Sequence, residues 1–417
     1  MQKNDDNNSV DSEGINVTDF PTETTSFSEI EKLPQGEILK LRINRTGSEI
    51  IEYEVVLEGT LSEQGENLIV CRTKNGLKIG AGDSGSPLLT KDGKIAGALC
   101  YGFSGNNSQF MARAIDDVTS ITEGSKSAHN TELSFASRIA PFYFARGFTN
   151  ELSQVYSRSQ HEQYRKKLSK FSALNDYNYG SKSTHIINSN IVPGSSISVN
   201  VITGDIYSIG AVGTISYIKD NIIYGFGHPF MDEEPLALPV YKSEMITLIE
   251  SHSHSASFKL TSQTNEYLGA LIKDKTEGIA INKNLESKDF PLKTVVNISE
   301  RSINKTIEHR ISNQQDIGYE NYLTALINSY SLRSVFGPGT YDYVNAEINV
   351  SFTFSNNESI KYTEFRECSH YLDYDLFATV LDTLDTHGGN RDYNIGSAEI
   401  RINVSGINSE TCSDNTN

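Results

Sequence analysis

The stretch that decides how this chain is read is "GAGDSGSPLLTKDGKIAGALCYG", Gly80 to Gly102. Its second half spells a hairpin. "PLL" and "IAGALCYG" are apolar runs, and the "KDGK" between them holds an Asp-Gly pair that supplies the positive φ of a tight turn. Its first half is a polar loop with Ser84 between Asp83 and Gly85. Gly82 and Gly85 let the backbone turn so that N–H groups can point into one cavity. A serine hydroxyl is a poor nucleophile until a base takes its proton and donors stabilise the resulting oxyanion. The same tetrapeptide also suits a plain glycine-rich turn. The elbow G-x-S-x-G is not met, because its last position is Ser86.

Outward from the loop the pattern is β. In "IEYEVVL", Ile51, Tyr53, Val55 and Leu57 alternate with mostly polar neighbours, as in a half-buried strand. Residues 19–125 form one serine-bearing β module, preceded by an Asn-, Asp- and Ser-rich tail (1–18) expected to be disordered. Residues 126–190 form a connector with a helix expected after Thr149-Asn150. A second β module covers 191–300, with "SISVNVITGDIYSIGAVGTISYIKDNIIYGFGHPF" as its signature. The portion from 301 to 410 mixes types. Tyr322, Leu323, Leu326, Ile327 and Tyr330 suit a helix, and Val344 to Phe354 alternate as a strand. Leu376, Phe377, Val380, Leu381 and Leu384 suit a second helix that Gly388-Gly389 would stop.

Bulk properties narrow the function. The chain has 417 residues and a net charge of −17, so phosphate-backbone binding is unfavoured and no nucleic-acid partner is expected. No stretch approaches the roughly 18 apolar residues of a membrane span. The start lacks a basic n-region and an apolar h-region, so no signal peptide is expected in the sequence as written. Cys71, Cys100, Cys368 and Cys412 form no C-x-x-C pair; the spacing of Cys71 and Cys100 does not tell whether they pair, and the redox compartment stays open. No cofactor or metal signature is present.

A base for Ser84 has to be sought among nine histidines. His129 and His161 read as solvated. His252 and His254 would share one strand face, but no nearby Asp or Cys completes a metal set. His185, His309, His370 and His387 lack distinctive surroundings. His228 stands in "YGFGHPF", where Gly225 and Gly227 permit close backbone approach and Pro229 fixes the following turn. It reads either as a functional imidazole in a rigid turn or as a hydrogen-bonded histidine at a strand end.

These phrases, in this order, resemble the SpoIVB-type serine peptidases, and most of all bacterial members whose serine module precedes the histidine module. The matching text is "GDSGSPLLTKDGKIAGALCYG", "APFYFARGF" (Ala140 to Phe148), "PGSSISVNVITGD", "GTISYIKDNIIYGFGHPF", Ser257-Phe258-Lys259 and the Asp274-to-Ile279 phrase. The likeness runs from about Phe20 to Val404. It implies a Ser–His peptidase site with Ser84 as nucleophile and His228 as general base, acting on a protein or peptide. By analogy with chymotrypsin-like loops, the N–H groups of Gly82 and Ser84 would form the oxyanion hole. The fold it implies is mainly β: a chymotrypsin-like double β-barrel with swapped module order, a helical connector and a C-terminal α+β portion. Asp83 replaces the family's usual methionine and reads as a loop-shaping residue. The family's upstream acid has no counterpart in "LIVCRTKNGLKIGAG", which leaves Asp232 as the substitute, with a solvated loop aspartate as its plainer reading. A peptidase-like scaffold that binds peptides or a partner without turnover is the alternative to an active endopeptidase.

Overall fold

The structure, a computed structural model, describes residues 14–123 and 191–407 apart from short gaps, together with 137–138, 142–146 and 163. The connector helix, most of the 1–18 tail, and His129, His161, His185, His252, His254 and His370 lie outside the described residues.

The first part holds β1 (Ile15–Asn16), α1 (Phe27–Ile30), β2 (Ile38–Thr46), β3 (Glu49–Glu63), β4 (Glu66–Thr73), β5 (Pro87–Leu89), β6 (Ile95–Phe103), β7 (Asn106–Ala114), α2 (Ile115–Ser120), β8 (Ser137–Arg138) and β9 (Phe142–Arg146). Strands β3, β2, β5, β6, β7 and β4 pair in that order, and β4 pairs back onto β3, closing a six-strand barrel. The alternation in β3 does what its pattern demands: Tyr53, Val55 and Leu57 enter the barrel core beside Leu39, Leu41, Leu88, Leu99 and Phe110. The Asp-Gly turn joins β5 to β6 as an antiparallel pair, as the sequence predicts. Within the tail, Ile15 and Asn16 pair with Glu52 and Ile51 of β3. Cys71 and Cys100 are both free and buried. Cys71 faces the barrel core, whereas Cys100 packs with Leu68, Tyr101 and Met111, and this opposite facing keeps the thiols apart. Cys368 is disulfide-bonded.

The second part supplies β10 (Ser196–Gly204), β11 (Ser208–Lys219), β12 (Ile222–Gly225), β13 (Leu238–Ile249), β14 (Phe258–Lys275), β15 (Gly278–Asn282), β16 (Asp289–Ile298), β17 (Ile303–Ser312), α3 (Ile317–Phe336), β18 (Val344–Phe354), β19 (Ser359–Ser369), α4 (Leu372–Gly388) and β20 (Ile395–Ser405). With β9 they make a 12-stranded sheet, in the order β19-β18-β20-β16-β17-β10-β13-β14-β15-β12-β11-β9. β10 also pairs with β11 along Ser196 to Ile202, and a bulge falls between Asn200 and Ile202. Before it β10 pairs with β13, and after it with β17, because a bulge bends the strand and re-aims its edge. The β16–β17 hairpin spans residue 300 and joins the histidine-bearing strands to the C-terminal ones in one sheet.

Both C-terminal helices form where apolar spacing predicts them. α3 is buried on nearly every side, and Tyr322 meets Phe377 of α4 edge-on at 5.5 Å. α4 stops at Gly388. Along β18, Val344, Ala346, Ile348, Val350, Phe352 and Phe354 all face the core. No helix among the described residues is long and apolar enough to cross a membrane.

The two parts dock directly. Gly47 and Met245 exchange backbone hydrogen bonds of 2.7 and 2.9 Å. Ile95, Ala98, Ile115 and Val118 of the first part share a buried cluster with Tyr224 and Ala280 of the second. The serine loop and the GFGHPF turn meet on this seam.

Candidate functional site

The serine loop starts by docking on β14. Ala81 donates its N–H to the Ser257 carbonyl (2.7 Å), and Lys259 donates its N–H to the Ala81 carbonyl (2.9 Å). Gly80 lies so close to that strand that a Cβ would stand 2.4 Å from the Ser257 oxygen. Gly82 and Gly85 then take φ of +90° and +88°, the left-handed turns for which glycine is suited.

Every peptide plane of the loop is pinned. The N–H of Asp83 goes to Gly80 O (3.0 Å), that of Gly85 to Leu99 O (2.8 Å) and that of Ser86 to Asp83 O (2.9 Å). Thr214 of β11 holds two carbonyls at once: its hydroxyl donates to Gly82 O (3.1 Å) and its N–H to Ser84 O (2.9 Å). A trans peptide sends its C=O and N–H to opposite sides. The Ala81 carbonyl, fixed on Lys259, therefore turns the Gly82 N–H away from β14. The Asp83 carbonyl, fixed on the Ser86 N–H, turns the Ser84 N–H to the side away from Ser86. These two donors, the ones the sequence assigns to an oxyanion hole, have no acceptor among the described residues. Buried N–H groups are seldom left so.

Asp83 faces inward and is fully enclosed. Its Oδ1 accepts from Arg45 Nη1 (2.8 Å) and meets Lys259 Nζ at 3.1 Å, while its Oδ2 accepts from Arg45 Nη2 (3.1 Å) and the Gly80 N–H (2.9 Å). Burial alone would raise its pKa, but the Arg45 and Lys259 charges hold the carboxyl below its ordinary value. Burial acts on Lys259 too and, against the attraction of Asp83, brings the ammonium down to about 8. Asp83 thus shapes the loop, as its sequence reading has it.

The histidine turn is the partner surface. A Cβ on Gly85 would stand 2.2 Å from Thr214 O and 2.5 Å from Phe226 N, so the two loops touch backbone to backbone. Phe226 has a φ of +66° and sits at the centre of a three-residue turn closed by Gly227 N–H to Gly225 O (2.8 Å). A γ-turn with positive central φ is the strained form, and for an aromatic residue this backbone is an outlier of the kind that gathers at functional sites. Gly213 makes room for the Phe226 ring, whose Cδ1 would be 2.3 Å from a Cβ there.

His228 follows, 1% exposed. Its Nδ1 lies 2.8 Å from the Pro229 carbonyl oxygen. A carbonyl only accepts, so this contact puts the proton on Nδ1 and makes Nε2 the accepting nitrogen of the neutral ring. The place beside Nδ1 that a triad's carboxylate would take is held by that carbonyl. Asp232 is exposed, at a φ of +61°. Its own N–H goes to Asp274 Oδ2 (2.9 Å), as does that of Met231 (2.7 Å), while Phe230 N–H goes to Asp274 Oδ1 (2.7 Å). Asp274 fastens the whole turn after His228.

The structure thus brings the Ser84 loop and the His228 turn into contact and leaves Asp232 at the rim. Ser84 is fully enclosed, and its Oγ makes no hydrogen bond among the described residues. Sequence reasoning missed five residues that build the site: Arg45, Arg113, Thr214, Lys259 and Asp274. Lys259 and Asp274 stand in two of the phrases that carry the family resemblance, which was the available signal. His309, the other histidine with a described buried ring, stacks on Tyr207 at 5.8 Å, away from these loops.

No family model matches the chain. No curated protein matches it. A superantigen-like protein from Staphylococcus aureus, solved in complex with sialyl-Lewis X, aligns at a TM-score of 0.15 and 9% identity, covering 50% of this chain and 93% of its own. Another such structure, with 3-N-acetylneuraminyl-N-acetyllactosamine, aligns at 0.14 and 9%, covering 50% and 92%. At these scores the likeness carries no argument about this chain.

Proposed function

We propose that the protein is a serine endopeptidase-like hydrolase of the SpoIVB type, acting on a protein or peptide through Ser84 and His228. The observation that carries this reading is the pair of N–H groups on Gly82 and Ser84, without acceptors among the described residues in a loop whose Ala81, Gly82, Asp83 and Ser84 carbonyls are all hydrogen-bonded. Two donors fixed beside a serine hydroxyl are what a tetrahedral oxyanion requires. The ring of pairings β10-β13-β14-β15-β12-β11, with β10 on β11, supports reading the second part as another six-strand barrel. The fold is then a chymotrypsin-like pair with the serine barrel first.

In this mechanism Ser84 Oγ attacks the scissile carbonyl carbon while His228 Nε2 takes the hydroxyl proton. The carbonyl oxygen becomes the oxyanion between the Gly82 and Ser84 N–H groups. The imidazolium returns its proton to the leaving amine, the acyl–Ser84 ester remains, and water repeats the sequence in reverse to release the acid. The Pro229 carbonyl orients the ring by a hydrogen bond but brings no full negative charge to the imidazolium. Turnover is accordingly slow, with Asp232 at the rim as the acid nearest in sequence. Because Ser84 is enclosed, substrate entry requires the seam above the loop to open.

That enclosure, with Ser84 Oγ unbonded, favours one second reading: a scaffold that keeps the peptidase loops and binds peptides without cleaving them. A fluorophosphonate probe separates the two. The peptidase reading expects labelling of the wild type at Ser84 and loss of labelling in Ser84→Ala and His228→Ala. Equal labelling of all three proteins, or none in the wild type, leaves the scaffold.

A further inference from the structure

We propose that Lys259, carried by the second part of the chain, is the positioning residue that holds the serine loop of the first barrel in its anion-binding shape. The inference rests on the peptidase reading above and adds the residue that makes the oxyanion hole conditional on docking.

Lys259 acts on the loop at two points. Its backbone N–H fixes the Ala81 carbonyl, and so the direction of the Gly82 N–H. Its ammonium, fully enclosed, lies 3.1 Å from Asp83 Oδ1 and 3.3 Å from the Thr214 hydroxyl, which in turn donates to the Gly82 carbonyl. One side chain thereby braces both the carboxylate beside the nucleophile and the carbonyl before it. Arg45, on β2 of the first barrel, can grip Asp83 without the second part, and is also anchored on the Lys78 carbonyl (2.7 Å). Lys259 cannot. It reaches Asp83 only when β14 is seated against Gly80 and Ala81.

The cluster also has a sign. Two cations, Arg45 and Lys259, face one carboxylate, Asp83, so the residue next to the nucleophile sits in an enclosed group with an excess positive charge. Such a fixed charge favours the anion that forms on attack. A neutral side chain of the same length would keep the packing and lose both effects.

The test measures the second-order rate of fluorophosphonate labelling at Ser84 in the full chain, for wild type, Lys259→Met, Lys259→Arg and the double variant Lys259→Met/Asp83→Asn. The expected loss in Lys259→Met is about 100-fold to 1,000-fold, the scale of removing one oxyanion donor. Lys259→Arg, which keeps the charge, is expected to recover most of it. The double variant restores the cluster's excess positive charge through Arg45 alone but not the ammonium's brace on Thr214, so it reads the brace by itself and is expected to remain slower than wild type. A pH profile supplies a readout that packing alone does not move. The groups facing the ammonium are Asp83, Arg45 and the Thr214 hydroxyl, and its proton leaves near pH 8. Wild-type labelling is expected to decline above that point, and the decline is expected to be absent in Lys259→Arg.

Folding stability should not fall over the same window. The unfolded lysine still holds its proton there, so the fold gains relative stability as pH rises from about 8 towards 10.5. A labelled wild type matched in rate by the double variant overturns this proposal alone. A wild type no faster than Ser84→Ala overturns the peptidase reading, and this proposal with it.

Discussion

Arg113, on a strand of the first barrel, donates through Nε to the carbonyl of Gly227, 3.1 Å away and one residue ahead of His228. Its guanidinium is fully enclosed and lies 3.1 Å from Glu66 Oε1, while the Tyr101 hydroxyl donates to Glu66 Oε2 (3.1 Å). The arrangement mirrors that of Lys259. A buried cation of each part of the chain grips the loop that the other part presents.

Removing Arg113 exposes the cost of that arrangement. Arg113→Met leaves the Glu66 carboxyl buried without its guanidinium, and breaking such a pair costs about 3–5 kcal/mol. Arg113→Met/Glu66→Gln is expected to regain most of the loss. Urea denaturation of the three proteins checks both statements, and equal midpoints for the single and double variants would refute them.

Gly85→Ala tests the contact between the loops. The new Cβ meets Thr214 O and Phe226 N at 2.2 and 2.5 Å, and the φ of +88° is unfavourable for alanine. The backbone term alone is about 1–3 kcal/mol, and the clash adds to it. Gly93→Ala is the control, at a φ of +87° with open space around it, and is expected to show the backbone term only. Thermal melts of both variants read the difference.

Acid should loosen the serine loop. The Asp83 pKa is depressed in the fold, so its contribution to stability is complete above the ordinary value near 3.8 and is lost as pH falls below it. Asp83→Asn is expected to flatten the stability profile between pH 5 and 2, at the price of a lower plateau at pH 7. Denaturant midpoints measured across that range decide it.

Asp274→Asn replaces a carboxylate that takes three backbone N–H groups with an amide that can accept on one side only. Hydrogen bonds to a charged acceptor are worth about 1.5–3 kcal/mol each, and at least one is lost. Hydrogen exchange at Phe230, Met231 and Asp232 is expected to quicken. Asp232→Asn, at an exposed site whose left-handed φ asparagine tolerates, is expected to change stability by less than about 0.5 kcal/mol and to leave Ser84 labelling intact. A hundredfold loss of labelling in Asp232→Asn would instead make Asp232 the acid of a triad.

The sequence announces its strands and helices because their signals are local. The alternation from Val344 to Phe354 and the Asp-Gly turn are each complete within a dozen residues, and each stands in the structure where its pattern puts it. The bulge in β10 that joins the histidine-bearing and C-terminal strands into one sheet does mark the sequence, because the alternation of Ile197, Val199 and Val201 breaks at Ile202, but a single break of that kind does not say which strands it will join. The ionic braces were also illegible. Arg45, Asp83 and Lys259 meet across long separations, and a lysine in the middle of "ASFKLT" reads as the exposed side of a strand until another element is laid against it. The His228 partner was hidden for a different reason: a backbone carbonyl has no letter of its own.

The order of the two gripping cations gives the chain a history during synthesis. About 175 residues separate Ser84 from Lys259, roughly 10–35 s of elongation at ordinary ribosomal rates. For the first part of that interval the barrel that carries Ser84 is made while Thr214, His228 and Lys259 are all still to come. A nascent chain cut short before β11 therefore carries the serine loop without the Thr214 contacts on the Gly82 and Ser84 carbonyls and without Lys259 on Ala81 and Asp83. Placing the serine half first leaves that loop unbraced until the C-terminal half has arrived.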